Sequence, residues 1–425
     1  MRQRHMALHG RQHDDAPCAS LDSHHRREAQ QLIALMRGAA ISGAPAYLGA
    51  WGRTWAYDST TWRDLRLDFL RGFCLFAMIV DHIAGPSLLY GLTGGNSFYV
   101  SAAEGFVFIS GLLLGMIHRK TIERHGFGTA LRKALRRAGI LYALMVGLTI
   151  GFYASAWLIG LPWADPEPLG GPATFVWSVL ALRRAYWLTD ILLLYTLLVA
   201  AAPLALWVLQ HHRPGWLLAG SWLLWLLYQA APDLLARPLP ATHSFNPLAW
   251  QIFFVHALTL GYHRDRVTRY LTSARRRRLF VVSGALLLVL VLVYHGQDAR
   301  FGPDAQRWLQ AMTAKGDVRP GRLVAAAVVF PFAYLLATYL WWPLRRSVGW
   351  LLVPLGQRAL HGYALHLLLI LLSLRLAHWL ATLPAPQSVR NAVVQLGAVL
   401  LVWGLVHWRA PLPRRSRGGG VARIG

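Results

Sequence analysis

Long runs of apolar residues recur along the chain from Leu67 onward, and short polar segments separate them. Ten such runs are each about 17 to 25 residues long, the length that an α-helix needs to cross the hydrocarbon core of a bilayer. They fall near residues 67–90, 98–118, 136–158, 186–209, 215–231, 246–262, 279–295, 322–342, 359–381 and 389–408. The pattern therefore predicts an all-α, polytopic integral membrane protein with about ten transmembrane helices.

The composition agrees with this prediction. Hydrophobic residues make up 55% of the 425 residues and charged residues only 14%, a balance that is too apolar for a soluble protein of this length. The formal net charge is +25, but the Lys and Arg residues cluster in the short segments between the apolar runs, as the positive-inside rule requires. The charge thus indicates membrane topology and contact with anionic lipid headgroups, and it does not indicate binding to nucleic acid.

The distribution of basic residues predicts the orientation of the chain. The segments after the second and sixth runs, HRKTIERHGFGTALRKALRR and HRDRVTRYLTSARRRR, carry seven Lys or Arg residues each, whereas GLTGGNS after the first run carries none. With an even number of spans, both termini are then expected in the cytoplasm, at a bacterial inner membrane. The exceptions are Arg183, Arg184 and four basic residues in the loop after the seventh run, which fall on the predicted outer side.

The apolar runs also divide the chain into a membrane domain and two tails. Residues 1–62 contain scattered His and Arg and no apolar run of spanning length, which predicts a disordered cytoplasmic tail without a cleavable signal peptide. Residues 63–408 form the predicted membrane domain, and residues 409–425 a basic cytoplasmic tail. The His residues of the first tail match no metal-coordination pattern, so no metal site is expected.

Four ionisable side chains lie on the first predicted span: Asp68, Arg71, Asp81 and His82. Charged groups cost about 2.5 to 3.5 kcal/mol each within a bilayer and therefore tend to mark functional sites. On a helix, Arg71 and His82 differ by only about 20° in azimuth and by roughly 16 Å in height, so they share one face. Asp68 joins that face near the inner end, whereas Asp81 points about 80° away. The structural alternative is that Asp68 and Arg71 form an ion pair at the membrane interface.

Glu104 on the second span is the predicted partner of His82. The short connection between the first two spans makes them antiparallel neighbours, and Glu104 lies about 9 Å in from the outer end, level with His82. At this position a carboxylate would orient the imidazole and stabilise its protonated form. The alternative, of equal weight, is that Glu104 is a structural hydrogen-bond partner of another helix.

Further polar residues are predicted at a similar depth in the outer half of the bundle. They are Asp190 in the fourth span and Asn246, Gln251 and His256 in the sixth, and together they would line a polar pocket that opens outward. For each residue alone, a satisfied hydrogen bond in the protein core is the simpler interpretation. His366 in the ninth span is predicted about 10 Å above the inner surface.

Four sequence blocks resemble a known family. The blocks RDLRLDFLRG…DH, SAAEGFVFISG, FNPLAWQIFFV and LGQRALHGYALH occur in this order on the first, second, sixth and ninth spans. They resemble the OpgC family of osmoregulated periplasmic glucan succinyltransferases, within the broader membrane acyltransferase family 3, and the likeness covers residues 62–408. The pair of Arg71 and His82 is similar to the R-x10-H motif of acyltransferase family 3, in which that pair is implicated in acyl transfer.

The resemblance implies a reaction and its substrates. It implies an acyl-CoA donor, with succinyl-CoA expected, on the cytoplasmic side and a glucan or other envelope carbohydrate on the periplasmic side, without a tightly bound cofactor. His82 would then act as a general base, oriented by Glu104 or Asp81. Arg71 would bind the phosphates of the donor, with Asp68 fixing its side chain. The expected substrate-binding set is completed by Asp190, Asn246, Gln251, His256 and His366.

A second functional class also fits ionisable residues at depth. In a proton-coupled transporter or flippase for an envelope precursor, His82, Glu104 and Asp190 would relay protons through the bundle. The sequence shows no internal repeat of the kind from which many transporters are built, which disfavours this class. A scaffold for a glucan-synthesis complex is the third alternative.

Overall fold

The computed structural model describes residues 55–57, 63–160, 170–186, 188–233, 245–380 and 384–408, with the backbone alone at 297–300, 371 and 373–380. The chain divides into two compact units, Met1–Ala56 and Tyr57–Gly425, and all the helices named below belong to the second. The predicted N-terminal tail, apart from residues 55–57, and the predicted C-terminal tail lie outside the described residues.

The described residues form helices and no β-strand, which confirms the all-α prediction. In chain order the helices are α1 Leu65–His82, α2 Tyr90–Thr93, α3 Ala102–Leu158, α4 Gly171–Leu180, α5 Asp190–Gln210, α6 Pro214–Ala230, α7 Pro247–Tyr262, α8 Arg264–Tyr270, α9 Ser273–Arg300, α10 Pro303–Met312, α11 Pro320–Tyr339, α12 Trp341–Ser347, α13 Gly349–Gln357, α14 Ala359–Leu380 and α15 Gln387–Trp408.

Helix α3 joins two predicted spans into one element. It continues through residues 119–135, which the apolar pattern assigns to a loop, because Ala, Leu, Arg and Lys are strong helix formers. The helix is kinked at Gly126, whose φ of 75° and ψ of 167° lie outside the helical region and suit glycine. An unbroken helix of 57 residues would extend about 86 Å, nearly three times the thickness of the bilayer core. The kink therefore divides α3 into two parts, each of spanning length.

Five helices in the described part of the chain are long and apolar enough to cross a membrane, namely α3, α5, α9, α11 and α15. The structure is thus consistent with a membrane protein but does not confirm the predicted count of ten spans. The shortfall has identifiable causes. Helices α6 and α7 have only 17 and 16 residues, and the two spans predicted within α3 form one helix. Helix α1 carries Arg66, Asp68, Arg71 and Asp81 within its 18 residues.

Helix α1 is central to the bundle, and twelve of its eighteen residues are buried. It packs against α13 with direct backbone contact. A Cβ atom added at Gly72 would lie 1.8 Å from the backbone oxygen of Leu352, and one added at Gly356 would lie 1.7 Å from the backbone oxygen of Asp68. Only glycine allows two helices to approach so closely. This contact fixes the height of α13, and of α14 after it, relative to α1.

Helix α1 ends at His82, eight residues before the end of the first predicted span. Ala84 and Gly85 have φ values of 62° and 85°, which no right-handed helix contains. Gly85 also precedes Pro86, whose ring disfavours the helical conformation at the residue before it. The sequence AGP therefore stops the helix within the apolar run, and His82 becomes its last residue.

Two polar residues of α15 satisfy the backbone at this break. The side-chain amide of Gln395 donates to the carbonyl oxygens of Ile83 and Gly85, at 2.8 Å each, and the amide of Asn391 donates to that of Pro86 at 2.7 Å. Carbonyl groups at a helix end have no partner within the helix, and leaving them buried without one is costly. The hydrogen bonds from α15 allow α1 to end inside the bundle.

The glycine contact between α1 and α13 makes a prediction about stability. Gly72→Ala should lower the free energy of unfolding by about 1 to 3 kcal/mol, because its methyl group meets the rigid backbone of Leu352. Gly404→Ala in α15 is the matched control, since a Cβ there meets no atom within 4 Å and alanine favours the helix. Thermal unfolding in detergent measures both variants. Equal midpoints for the two would contradict the proposed contact.

The break after α1 makes a second prediction. Gln395→Leu should reduce the free energy of unfolding by about 1 to 3 kcal/mol, because the carbonyl groups of Ile83 and Gly85 lose their donor. Gln387→Leu, at an exposed position at the start of the same helix, should change stability little. Unfolding midpoints in detergent compare the two substitutions, and an unchanged midpoint for Gln395→Leu would argue against its capping role.

Candidate functional site

A cavity of about 120 Å³ lies at the point where α1 ends. Its polar lining comes from α1, from the loop between α2 and α3, from the loop between α10 and α11, and from α14. These polar residues are Asp81, His82, Asn96, Ser101, Lys315 and Tyr363. The cavity therefore gathers ionisable groups that are distant in sequence, and it includes both residues at the end of α1 that the sequence analysis selected.

His82 is hydrogen bonded to His366 of α14. Nδ1 of His82 lies 3.2 Å from Nε2 of His366, and the rings stack with 5.5 Å between centroids and 22° between planes. His366 is fully buried, and its Nδ1 lies 2.6 Å from the carbonyl oxygen of Tyr363. The sequence predicts His366 well below His82, near the inner surface, whereas the structure brings the two rings together.

The contacts of α1 with α13 and α14 explain this difference. Helix α13 runs antiparallel to α1, with Gly356 at the backbone of Asp68, and α14 begins at Ala359 after the chain reverses. In α14, a Cβ atom added at Gly362 would lie 2.5 Å from the side chain of Leu75; four residues separate Gly362 from His366, and seven separate Leu75 from His82. At 1.5 Å per residue, the difference in height is only about 4 to 5 Å, which two imidazole side chains can span.

The carbonyl group of Tyr363 sets the direction of these hydrogen bonds. A carbonyl oxygen only accepts, so Nδ1 of His366 donates to it. In a neutral ring, Nε2 of His366 is then an acceptor, and Nδ1 of His82 must donate to it. The same reasoning leaves Nε2 of a neutral His82 as the nitrogen that can take up a proton. One backbone carbonyl therefore selects the tautomer of both rings.

Asp81 lies on the same cavity as His82. Its Oδ1 accepts a hydrogen bond of 2.8 Å from the hydroxyl group of Thr93 in α2. The helical azimuth predicts a face about 80° away for Asp81. However, α1 ends one residue after Asp81, and α2 folds back so that its Thr93 contacts Asp81. The side chains of Asp81 and His82 therefore both reach the cavity.

Glu104 is paired with residues other than His82. It is fully buried, and its Oε2 accepts hydrogen bonds from the backbone and the hydroxyl group of Ser101, which together form a capping box at the start of α3. Its Oε1 accepts from Nη1 of the buried Arg322 in α11 at 2.5 Å. Both oxygens are thus engaged, as the structural alternative expects, and the orienting contact to His82 comes from His366.

Asp68 and Arg71 have different surroundings, although they share a helix face. Asp68 forms a bidentate ion pair with Arg63, at 2.5 and 2.7 Å, and not the expected pair with Arg71. The guanidinium carbon of Arg71 lies 5.1 Å from the ring centroid of Phe106 in α3. Its buried Nε has no hydrogen-bond partner among the described residues. Arg71 therefore retains donor capacity for an anion.

The four residues of the predicted outward pocket do not line the cavity. Asn246 caps the N-terminus of α7, and Gln251 joins α7 to Ser221 of α6 through hydrogen bonds of 2.6 and 2.9 Å. Nδ1 of His256 donates to the carbonyl group one turn earlier at 2.8 Å. Asp190 is fully buried at the start of α5. Three of the four thus have contacts that serve the fold.

Two basic residues that the sequence analysis did not select belong to this region. Lys315 lines the cavity, and Arg322 binds Glu104. Both come from the region after the seventh apolar run, where the basic residues depart from the positive-inside rule. That departure was the available signal, because basic residues on the predicted outer side require another reason to be there. In the structure, Arg322 binds the buried carboxylate of Glu104, and Lys315 lines the polar cavity.

A larger cleft of about 590 Å³ lies between α1, α2, α3, α9 and α11, and it shares Ser101 and Ala102 with the smaller cavity. Its lining is mostly apolar and includes Cys74, but neither Arg71 nor His82. Burial keeps the thiol of Cys74 from acting as a nucleophile, because the thiolate is the reactive form and an apolar environment disfavours it. The smaller cavity, which is lined by Asp81, His82 and Lys315, is therefore the candidate site.

Comparisons with known proteins identify a family for this chain. The family model described as OpgC protein matches residues 63–414. No curated protein and no solved structure matches the chain. The family implies an acyltransferase and suggests modification of glucans by succinyl groups, whereas the wider placement in acyltransferase family 3 stays a prediction. Because the match covers most of the chain, including the residues that line the cavity, the protein belongs to the OpgC family.

Proposed function

We propose that the protein is a membrane-bound O-acyltransferase that moves a succinyl group from succinyl-CoA to hydroxyl groups of a periplasmic glucan. Its family supports acyl transfer and a glucan acceptor. The observation that carries the proposal is the hydrogen-bonded series of His82, His366 and the Tyr363 carbonyl, located beside a cavity within the helix bundle.

The proposed reaction needs one base that takes up the proton of the attacking glucan hydroxyl group. Nε2 of His82 takes the proton while the hydroxyl oxygen attacks the thioester carbonyl carbon. A carbon–oxygen bond forms, the carbon–sulfur bond breaks, and the proton passes from His82 to the departing CoA thiolate. The products are a succinyl ester of the glucan and free CoA, and His82 returns to its neutral form.

His366 is the proposed positioning residue for this step. It accepts the hydrogen bond from Nδ1 of His82 and thereby keeps Nε2 in the form that takes up a proton. The arrangement resembles in its logic the buried carboxylate that orients the histidine of a serine hydrolase, since in both cases a buried acceptor fixes the tautomer of the base. Asp81, on the same cavity, would stabilise the imidazolium while it exists.

Arg71 is the proposed contact for a phosphate group of the donor. It is a half-buried cation whose buried Nε has no hydrogen-bond partner among the described residues, and a guanidinium group matches phosphate geometry. The donor would enter from the cytoplasm and the glucan from the periplasm of a bacterial inner membrane, with both termini cytoplasmic. This orientation rests on the basic segments that follow the second and sixth apolar runs, which would also contact anionic lipids.

Removing the proposed base should abolish most of the activity. His82→Ala should lower kcat for transfer from succinyl-CoA to glucan by about 10² to 10⁴-fold, the usual contribution of a positioned general base. Release of free CoA thiol and the mass of the glucan product measure the reaction in purified protein.

His118→Ala is the matched control for this substitution. His118 is also a buried histidine on a helix, bonded to the carbonyl group of Leu114, and it does not line the cavity, so turnover should stay near that of the wild type. Full activity of His82→Ala would refute the proposed role. Transport of a solute by the wild type without any thioester would favour the proton-coupled transporter instead.

The orienting role of His366 makes a separate prediction. His366→Phe keeps an aromatic ring beside Tyr363 but cannot accept a hydrogen bond from His82. We expect kcat to fall at least about tenfold with little change in KM for the donor, because the tautomer is lost while the binding groups remain. Steady-state kinetics with varied succinyl-CoA separate the two constants. A raised KM at unchanged kcat would assign His366 to substrate binding instead.

A further inference from the structure

The loop between α10 and α11, residues 313–319, is held in one conformation by other parts of the bundle. Three successive carbonyl groups accept side-chain hydrogen bonds from α6 and α7: that of Gly316 from Trp250 at 3.1 Å, that of Asp317 from Gln229 at 2.7 Å, and that of Val318 from Trp225 at 3.0 Å. Arg322 donates to the carbonyl group of Thr313 at 2.9 Å while it binds Glu104. The loop is thus anchored from both ends.

Val318 shows that this conformation is imposed. It is fully buried and has a φ of 47°, in the left-handed region that β-branched residues rarely adopt. Such a conformation is unfavourable and persists only where the surroundings enforce it, which occurs most often at functional sites. The hydrogen bonds from α6 and α7 supply that enforcement, and their effect is to hold the neighbouring Lys315 at the cavity.

Lys315 is the basic residue that this loop presents to His82. Its ammonium group donates to Oδ1 of Asn96 at 2.6 Å and lies 5.4 Å from the ring centroid of Phe245. An ammonium group has three N–H donors, so one bond to an amide oxygen leaves capacity for an anion. Among the side chains that line the cavity in the described part of the chain, Lys315 is the single Lys or Arg residue.

The nearby carboxylates do not form an ion pair with Lys315. Both oxygens of Glu104 bind Arg322 or Ser101, and Oδ1 of Asp81 accepts from Thr93, so both carboxylates attract the ammonium group only from beyond ion-pair distance. Lys315 forms no ion pair in the part of the chain that the structure describes. Burial lowers the pKa of Lys315 from its usual value, since its charge is poorly solvated. A bound anion would therefore complete the site.

We infer that Lys315 binds the free carboxylate of a dicarboxylic acyl group while His82 acts at its thioester end. The inference rests on the proposed acyl transfer and adds the residue that selects the acyl group. A cavity of about 120 Å³ admits a short acyl chain and excludes a long fatty one. A neutral chain of the same length would leave the ammonium group desolvated without a partner, and a site of this kind discriminates strongly against such an analogue.

The test compares two donors that differ only at the far end of the acyl chain. Butyryl-CoA carries a methyl group where succinyl-CoA carries the carboxylate. The full-length wild type should prefer succinyl-CoA in kcat/KM by about 10- to 100-fold, the effect expected for a hydrogen bond to a charged group. Lys315→Met should lose that preference through a fall with succinyl-CoA, while transfer of butyryl groups is kept. Lys315→Arg retains the charge and should keep most of the preference.

Arg307→Met is the matched control, because Arg307 is an exposed cation on α10, close in sequence to the same loop, and its donor preference should equal that of the wild type. A preference that survives in Lys315→Met would overturn the inference. Equal losses with both donors in Lys315→Met and Lys315→Arg would also overturn it and assign Lys315 to the fold or the acceptor. The two results for Lys315→Met that overturn the inference leave the proposed function standing, whereas a wild type that favours butyryl-CoA, or that transfers neither group, refutes the proposed succinyl transfer as well.

Discussion

The structure depends on helix α1 ending inside the bundle and not at its surface. The sequence AGP stops the helix at His82, and the amides of Gln395 and Asn391 satisfy the carbonyl groups of Ile83, Gly85 and Pro86, which have no partner within the helix. A continuous helix would place His82 mid-span with its neighbours packed on every side. The capped break opens space beyond the last turn, and the loops before α3 and α11 enter that space with Asn96, Ser101 and Lys315. The cavity therefore depends on the end of α1 and on the two side-chain amides that donate to its carbonyl groups.

The ionisable groups within the bundle follow from the same constraint. A charge in an apolar interior is stable only with a partner, and most of those on α1 and α3 have one: Arg63 binds Asp68, and Arg322 binds Glu104. Arg71 and Lys315 differ, since in the described part of the chain neither has a carboxylate within ion-pair distance. Arg71 lies eleven residues before His82 on α1, about 16 Å along the helix, and Lys315 lines the cavity together with His82. Both ends of an acyl-CoA carry negative charge when the acyl group is dicarboxylic, so a phosphate contact at Arg71 and a carboxylate contact at Lys315 would have a common physical basis.

The candidate site was predictable in part. The residues at the end of α1 were found because ionisable side chains in an apolar run are costly and therefore informative. The hydrogen-bond partners of these residues were not predicted, because hydrogen bonding between helices depends on register and not on composition. Glu104 and His366 illustrate the point: helical geometry placed the carboxylate level with His82 and the imidazole far below it, yet the structure pairs Glu104 with Arg322 and His82 with His366. Lys315 lies in a loop, where no periodicity indicates direction, and its one signal was a positive charge on the predicted outer side.

The sequence by itself determined that the protein is helical, that it is apolar enough for a membrane and that it resembles the OpgC family, because these properties follow from apolar run length and from ordered motifs. The sequence also contains the residues that stop α1, AGP. Because they lie inside an apolar run, run length alone predicts a span that continues to residue 90. Only the tertiary structure decided which side chains meet. The contact between Gly72 and the backbone of Leu352, that between Gly356 and Asp68, and that between Gly362 and Leu75 fix the heights of α13 and α14 against α1 and so bring His366 to His82. Such a register is set by backbone contact between segments nearly three hundred residues apart, and a local pattern carries no information about it.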